Sequence, residues 1–159
     1  MATTNHLPVF GCCYALLLEV AGWEPNLSRE YRAGIYNDVK EHLLTALVQV
    51  YRANNATGRG KLDCIDTAWE NMLRVKLMVR VLGDLQKIHP GQIANAAKYE
   101  EEIDKHLANW GRYVKSQLER GETPKAEEPT DSGGVEPDGK QLTAATTAAD
   151  INIKDLFGQ

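Results

Sequence analysis

Long apolar runs are the first thing this chain lacks: nowhere do about 18 consecutive apolar residues occur, so no stretch reads as a membrane span. Large aromatic anchors are scarce as well. Aromatic residues make up 7% of the chain and only two are Phe, which points to an aliphatic core of the kind helix bundles build. There are three cysteines, two of them the neighbours Cys12 and Cys13, so a full set of intrachain disulfides cannot form and a reducing, cytoplasmic setting is expected. The start LPVFGCCYALLL lacks the basic flank of a secretory signal, and Glu19 interrupts its apolar run, which argues the same way.

A strong excess of either charge is also missing from the part that folds. The net charge of −4 is unevenly placed: residues 1–120 carry 15 Lys and Arg against 14 Asp and Glu, whereas residues 121–159 carry 3 against 8. The acidity therefore belongs to the C-terminal part, and an anionic partner for the body is not excluded. Between Arg52 and Lys87 the balance is 7 basic to 4 acidic. Positive character is concentrated there.

What is present fits one domain, since 159 residues lie within the usual span of roughly 100 to 200. Four helices are predicted. The first covers His6 to Gly22, with Val9, Cys13, Leu16, Leu17 and Val20 at helical spacing. The second begins at Ser28 and runs to Ala53, gathering Ile35, Val39, Leu43, Ala46, Leu47 and Val50 on one side. A polar connection from Asn54 to Gly60 precedes the third, Lys61 to Ile88, which His89-Pro90 ends. The fourth runs from Gly91 to Arg120, with Ile93, Ala96, Ile103, Leu107, Trp110, Val114 and Leu118 spaced for burial. Short connections between successive helices favour antiparallel neighbours. The expected fold is all-α, an antiparallel up-down-up-down four-helix bundle spanning residues 1–120.

Residues 121–159 read as a flexible acidic tail. GETPKAEEPTDSGGVEPDG is almost free of large apolar side chains and cannot recover its ordering entropy by burial, so disorder is expected. INIKDLFGQ, at the end, returns to Ile, Leu and Phe. It reads either as a short docking segment or as a patch folding back on its own bundle.

No catalytic machinery is visible, and no metal or cofactor is expected. Gly58-Arg59-Gly60-Lys61-Leu62 resembles the end of a phosphate-binding loop, but Asn55 and Leu62 replace the residues that such a loop needs and no strand precedes it. None of the four His forms the Glu-x-x-His pair of a di-iron bundle, because Ile103 sits three before His106. Glu102 and His106, four apart, read as a solvated helix pair.

The third helix carries more apolar surface than one neighbour can cover. At 100° per residue, Ala68, Met72, Val75, Val79 and Leu82 form a core face, while Leu73, Leu77, Val81 and Ile88 fall on the other side. Trp69, Leu73, Leu77 and Val81 are therefore expected at a subunit interface. In the gap between the two faces, Lys76, Arg80 and Lys87 lie within about 40° of one another, in line with Trp69, and Arg59 and Lys61 sit at the start. Such a strip reads either as ordinary solvated surface, balanced by Glu70 and Asp84, or as an anion-binding surface that a symmetric oligomer would repeat.

Four segments, LPVFGCCYALLLEV, REYRAGIYNDVKEHLLTALVQVYRAN, AWENMLRVKLMVRVLGDLQKI and IDKHLANWGRY, resemble in order and spacing the four-helix-bundle family of accessory variability determinants from diversity-generating retroelements. The likeness spans Leu7 to Ser116. It is carried chiefly by Tyr51-Arg52-Ala53-Asn54 and by Leu73-Arg74 through Asp84-Leu85. The small bundle proteins encoded in ribosomal-RNA intervening sequences belong to the same superfamily.

The resemblance implies a non-catalytic partner of a reverse transcriptase. It implies a ring-forming homo-oligomer, typically a pentamer, whose basic surface binds the polymerase and template RNA or cDNA during mutagenic reverse transcription. By position, Arg52, Arg74, Lys76, Arg80 and Lys87 would be the contacts, with Arg59 and Lys61 added from the strip. This body departs from the family in being only mildly positive, which shifts the expectation towards contact with the polymerase protein. The alternatives are an intervening-sequence bundle of obscure function and a generic helical protein-interaction module.

Overall fold

In the computed structural model, residues 7–121 are described. His6, the expected start of the first helix, and the tail from 122 onward with its terminal INIKDLFGQ lie outside the described residues. Among the described residues the fold is all-helical: α1 (Pro8–Ala21), α2 (Arg29–Ala33), α3 (Ile35–Asn55), α4 (Gly58–Asp84) and α5 (Pro90–Glu119), with a 3-10 turn over Glu24–Asn26.

The four long helices close a ring in which α3 packs on α4, α4 on α5, α5 on α1 and α1 on α3. Their apolar faces meet inside it, where Leu16, Leu17, Leu43, Met72, Val75, Leu82, Ile103, Leu107 and Trp110 are all buried. Each such side chain taken from water contributes roughly 1.5–3 kcal/mol. α4 and α5 run antiparallel, since rising numbers on one meet falling numbers on the other: Ile65 lies beside Gly111, Lys76 pairs with Asp104, and Gly83 sits against Ile93. No described helix is long and apolar enough to cross a membrane.

Three helix boundaries differ from the sequence reading, each for a local reason. The helix expected to run unbroken from Ser28 to Ala53 is split at Gly34, whose backbone (φ −101°, ψ −118°) leaves the helical region. Gly is the weakest ordinary helix former and the cheapest place to make that break. The polar connection expected from Asn54 to Gly60 is only Ala56 and Thr57, because α3 continues to Asn55 and α4 starts at Gly58.

The third difference matters most for the surface. α4 ends at Asp84, before Pro90 can act. The Lys87 N–H bonds the Leu82 carbonyl and the Gln86 N–H bonds the Gly83 carbonyl, both at 2.9 Å, with Gln86 left-handed at φ 56°. This is a Schellman closure with Gln where Gly is preferred. The chain then reverses, so Ile88, expected on the outer side of the helix, is buried instead. α5 opens on a reciprocal cap: the Gly91 N–H bonds His89 Nδ1, and the Gln92 Oε1 accepts from the His89 N–H.

Tyr36 joins the first and second long helices. Its hydroxyl donates to the Val20 carbonyl at 3.1 Å, satisfying one of the last carbonyls of α1. Burial, helped by Glu24, pushes its pKa up to about 12.

Gln86→Gly should stabilise the protein by about 0.5–1 kcal/mol, since Gly adopts the left-handed closure without the penalty of a Cβ but adds chain entropy when unfolded. Urea denaturation would measure this, and a loss of stability would contradict the closure.

Candidate functional site

The open face of α4 is the most distinctive surface among the described residues. Trp69, Leu73, Leu77, Val81 and Leu85 are about half exposed, at 50%, 54%, 58%, 42% and 48%. They follow one another at intervals of four. Because four residues turn a helix by about 400°, such a row drifts by about 40° per step. It therefore crosses the face obliquely, from the α5 side at Trp69 to the α3 side at Leu85. A row of half-exposed apolar side chains along one helix face is a candidate interaction surface. Leu85 was not among the expected interface residues, although it continues the same four-residue interval from Val81.

The α3 side of the row is closed by polar contacts. His42 is partly buried at the α3–α4 seam, with Nδ1 2.8 Å from the Asn71 Oδ1. The Asn71 Nδ2 donates to the Thr67 carbonyl, so its Oδ1 faces His42 as acceptor and His42 carries its proton on Nδ1.

The expected cations do not form one patch. Lys61 is a correction: it is fully buried, with its ammonium 5.7 Å from the centre of the Trp110 ring, and burial pushes that ammonium below the ordinary lysine range. It lies seven residues before Ala68, within about 20° on the helix, so it belongs to the core face and cannot meet an external phosphate. The sequence contained that signal. Lys87 is displaced as well. It follows the left-handed turn, outside the helical register that aligned it with Lys76 and Arg80, and its ammonium lies 4.6 Å from the centre of the Tyr31 ring.

The remaining cations fall into two groups. Arg52 and Arg59, both exposed, flank the α3–α4 connection. Arg59 is about 30 Å along the helix from Arg80 at 1.5 Å per residue. Arg74, Lys76 and Arg80 border the apolar row. Arg74 bonds Glu70 at 2.6 Å, and Arg80 stands 3.9 Å from Asp84. Both pairs are exposed and weakly held, so either guanidinium can exchange its partner for an external anion.

Lys76 is held differently. It is partly buried, pairs with Asp104 of α5, and lies close enough to Glu100 to act on its carboxyl. Burial pushes the Glu100 carboxyl above its ordinary range, and the Lys76 charge works against that shift. One buried oxygen on each of Glu100 and Asp104 has no hydrogen-bond partner among the described residues. Lys76 thus serves two carboxylates at the floor of a cleft of about 400 Å³ lined also by Val79, Arg80, Gly83 and Ile93. It is a structural cation first.

Glu102 and His106 stand 3.9 Å apart. No three His, Cys, Asp or Glu side chains converge on a metal position among the described residues. No protein-family model matches the chain, and comparisons with curated proteins and with solved structures return no match. The likeness to accessory variability determinants rests on the four quoted segments.

Two outcomes check the cleft. Lys76→Met should cost about 1–3 kcal/mol by leaving buried carboxylate oxygens unpaired, and Asp104→Asn in the same chain should recover part of that loss in thermal unfolding. Because the folded-state pKa of Glu100 is raised, its contribution to stability is present at acid pH and lost as pH rises through that value. Glu100→Gln should therefore raise the melting temperature at neutral pH, with the gain fading in acid; a pH-independent difference would contradict this.

Proposed function

We propose that this chain is a non-catalytic accessory protein that self-associates and docks a larger anionic assembly, as the accessory variability determinants do with a reverse transcriptase and its template RNA. The observation that carries it is the row Trp69, Leu73, Leu77, Val81 and Leu85 left exposed on α4. A helix already buried on its core face and still apolar across its open face is built for a second protein surface. In this reading the four long helices form an up-down-up-down bundle, and copies meet through the α4 row in a closed ring, with a pentamer the size that the family resemblance favours.

Arg74 and Arg80 border the row and hold only exposed partners, so they are the residues assigned to polymerase or RNA. Arg52 and Arg59 form a second contact at the α3–α4 connection. Because the body is close to neutral, the polymerase protein is the main partner and RNA or cDNA the secondary one. Mutagenic reverse transcription in the cytoplasm is the activity this supports.

Leu77→Glu combined with Val81→Glu should lower the mass seen by light scattering across a concentration series, while helicity by circular dichroism stays unchanged. An unchanged mass would reject the row as a subunit interface. Arg74→Glu with Arg80→Glu should leave the mass alone and weaken co-purification with the reverse transcriptase by about tenfold or more. The gene should also lie beside a reverse transcriptase and a paired template and variable repeat, and a locus with neither would reject the retroelement assignment.

A further inference from the structure

We propose that residues 149–157 dock along the exposed α4 row of their own chain and so cap the surface through which copies associate. The proposal rests on that row being the self-association surface.

Four observations point to this occupant. The first is length: from Trp69 to Leu85 the row runs about 24 Å along the helix at 1.5 Å per residue, a stretch that a short segment can lie along. The second is pattern. Ala149, Ile153, Leu156 and Phe157 are spaced i, i+4, i+7 and i+8, the spacing that brings apolar side chains to one helix face for docking on a protein surface.

Charge is the third. Residues 121–159 carry 8 acidic against 3 basic side chains, and the stretch of α4 and its closing turn from 69 to 87 carries Arg74, Lys76, Arg80 and Lys87 against Glu70 and Asp84. Within 149–157 itself Asp150 and Asp155 stand against Lys154, a net charge of −1, opposite in sign to the +2 that four cations against two carboxylates leave on the 69–87 stretch.

Reach is the fourth. α5 runs antiparallel to α4, so its C-terminal end lies at the beginning of α4. From there Trp69 is about 17 Å along the helix and Leu85 about 40 Å at 1.5 Å per residue. Residues 122–148 number 27, enough chain to bridge either distance. Held on such a tether, the segment meets the row at an effective concentration in the mM range. A second copy present at micromolar concentration competes poorly against that, so the intramolecular contact dominates until a partner or crowding into an assembly displaces it.

The full chain carrying the photo-crosslinker p-benzoylphenylalanine in place of Phe157, prepared as a mixture of heavy- and light-isotope copies, tests the contact. Cross-links should map to residues 69–85 within a single copy. Cross-links only to other surfaces, or only between heavy and light copies, would overturn the proposal. Deleting residues 149–159, or making Ile153→Asp with Leu156→Asp in the full chain, should tighten self-association by about tenfold or more in sedimentation equilibrium; unchanged association would overturn the capping role. Adding Leu77→Glu to the truncated chain separates the two readings. If association disappears while position 157 never cross-linked to α4, the interface stands and the docking fails. If position 157 cross-links to α4 but neither truncated chain associates, the docking stands and the self-association reading fails.

Discussion

Met72, Val75, Val79 and Leu82 take one side of α4 out of water against α3 and α5, and the placement of nearly everything else follows from that burial. Because α4 is the helix shared by both neighbours, its rotation about its own axis decides which residues face solvent. Turning the core face inward carries Lys61 inward with it, beneath Trp110. The same rotation turns Trp69, Leu73, Leu77 and Val81 outward. Lys76 is left on the edge facing α5, where Asp104 and Glu100 receive it. One rotational setting thus produces a buried amine, a partly buried ion cluster and an open apolar row.

These three features differ in what they can do. A buried ammonium beside an indole face is out of reach of any external anion, and its loss of hydration is a cost that its surroundings must offset. The Lys76 cluster joins α4 to α5 and leaves little positive charge to spare, since one ammonium faces two carboxylates. Only the row and its bordering Arg74 and Arg80 combine apolar area, solvent access and exchangeable charge. That combination suits association with protein more than tight, nonspecific binding of nucleic acid, which needs many unpaired cations.

The acidic C-terminal region completes the argument from charge. A near-neutral body and an acidic C-terminal part of the same chain are opposite in charge where Arg74 and Arg80 border the exposed row.

Much of this was legible in the residues. The 3.6-residue period placed the core faces of all four long helices, and it separated Leu73, Leu77 and Val81 from Met72, Val75 and Val79, because periodicity is a local property of the chain. It also held, unread, the burial of Lys61, seven residues ahead of Ala68. What periodicity could not supply was where it stops. The closure at Gln86 depends on two backbone hydrogen bonds and a left-handed residue that the sequence does not announce, and it moved Ile88 into the core and Lys87 onto Tyr31. The Lys76–Asp104 pair was likewise decided in three dimensions, between segments far apart in the chain, whereas the split at Gly34 is a break that the glycine permits locally. Sequence determined the faces of the helices; tertiary structure decided their ends and partners, because an end is set by the contacts the next segment makes.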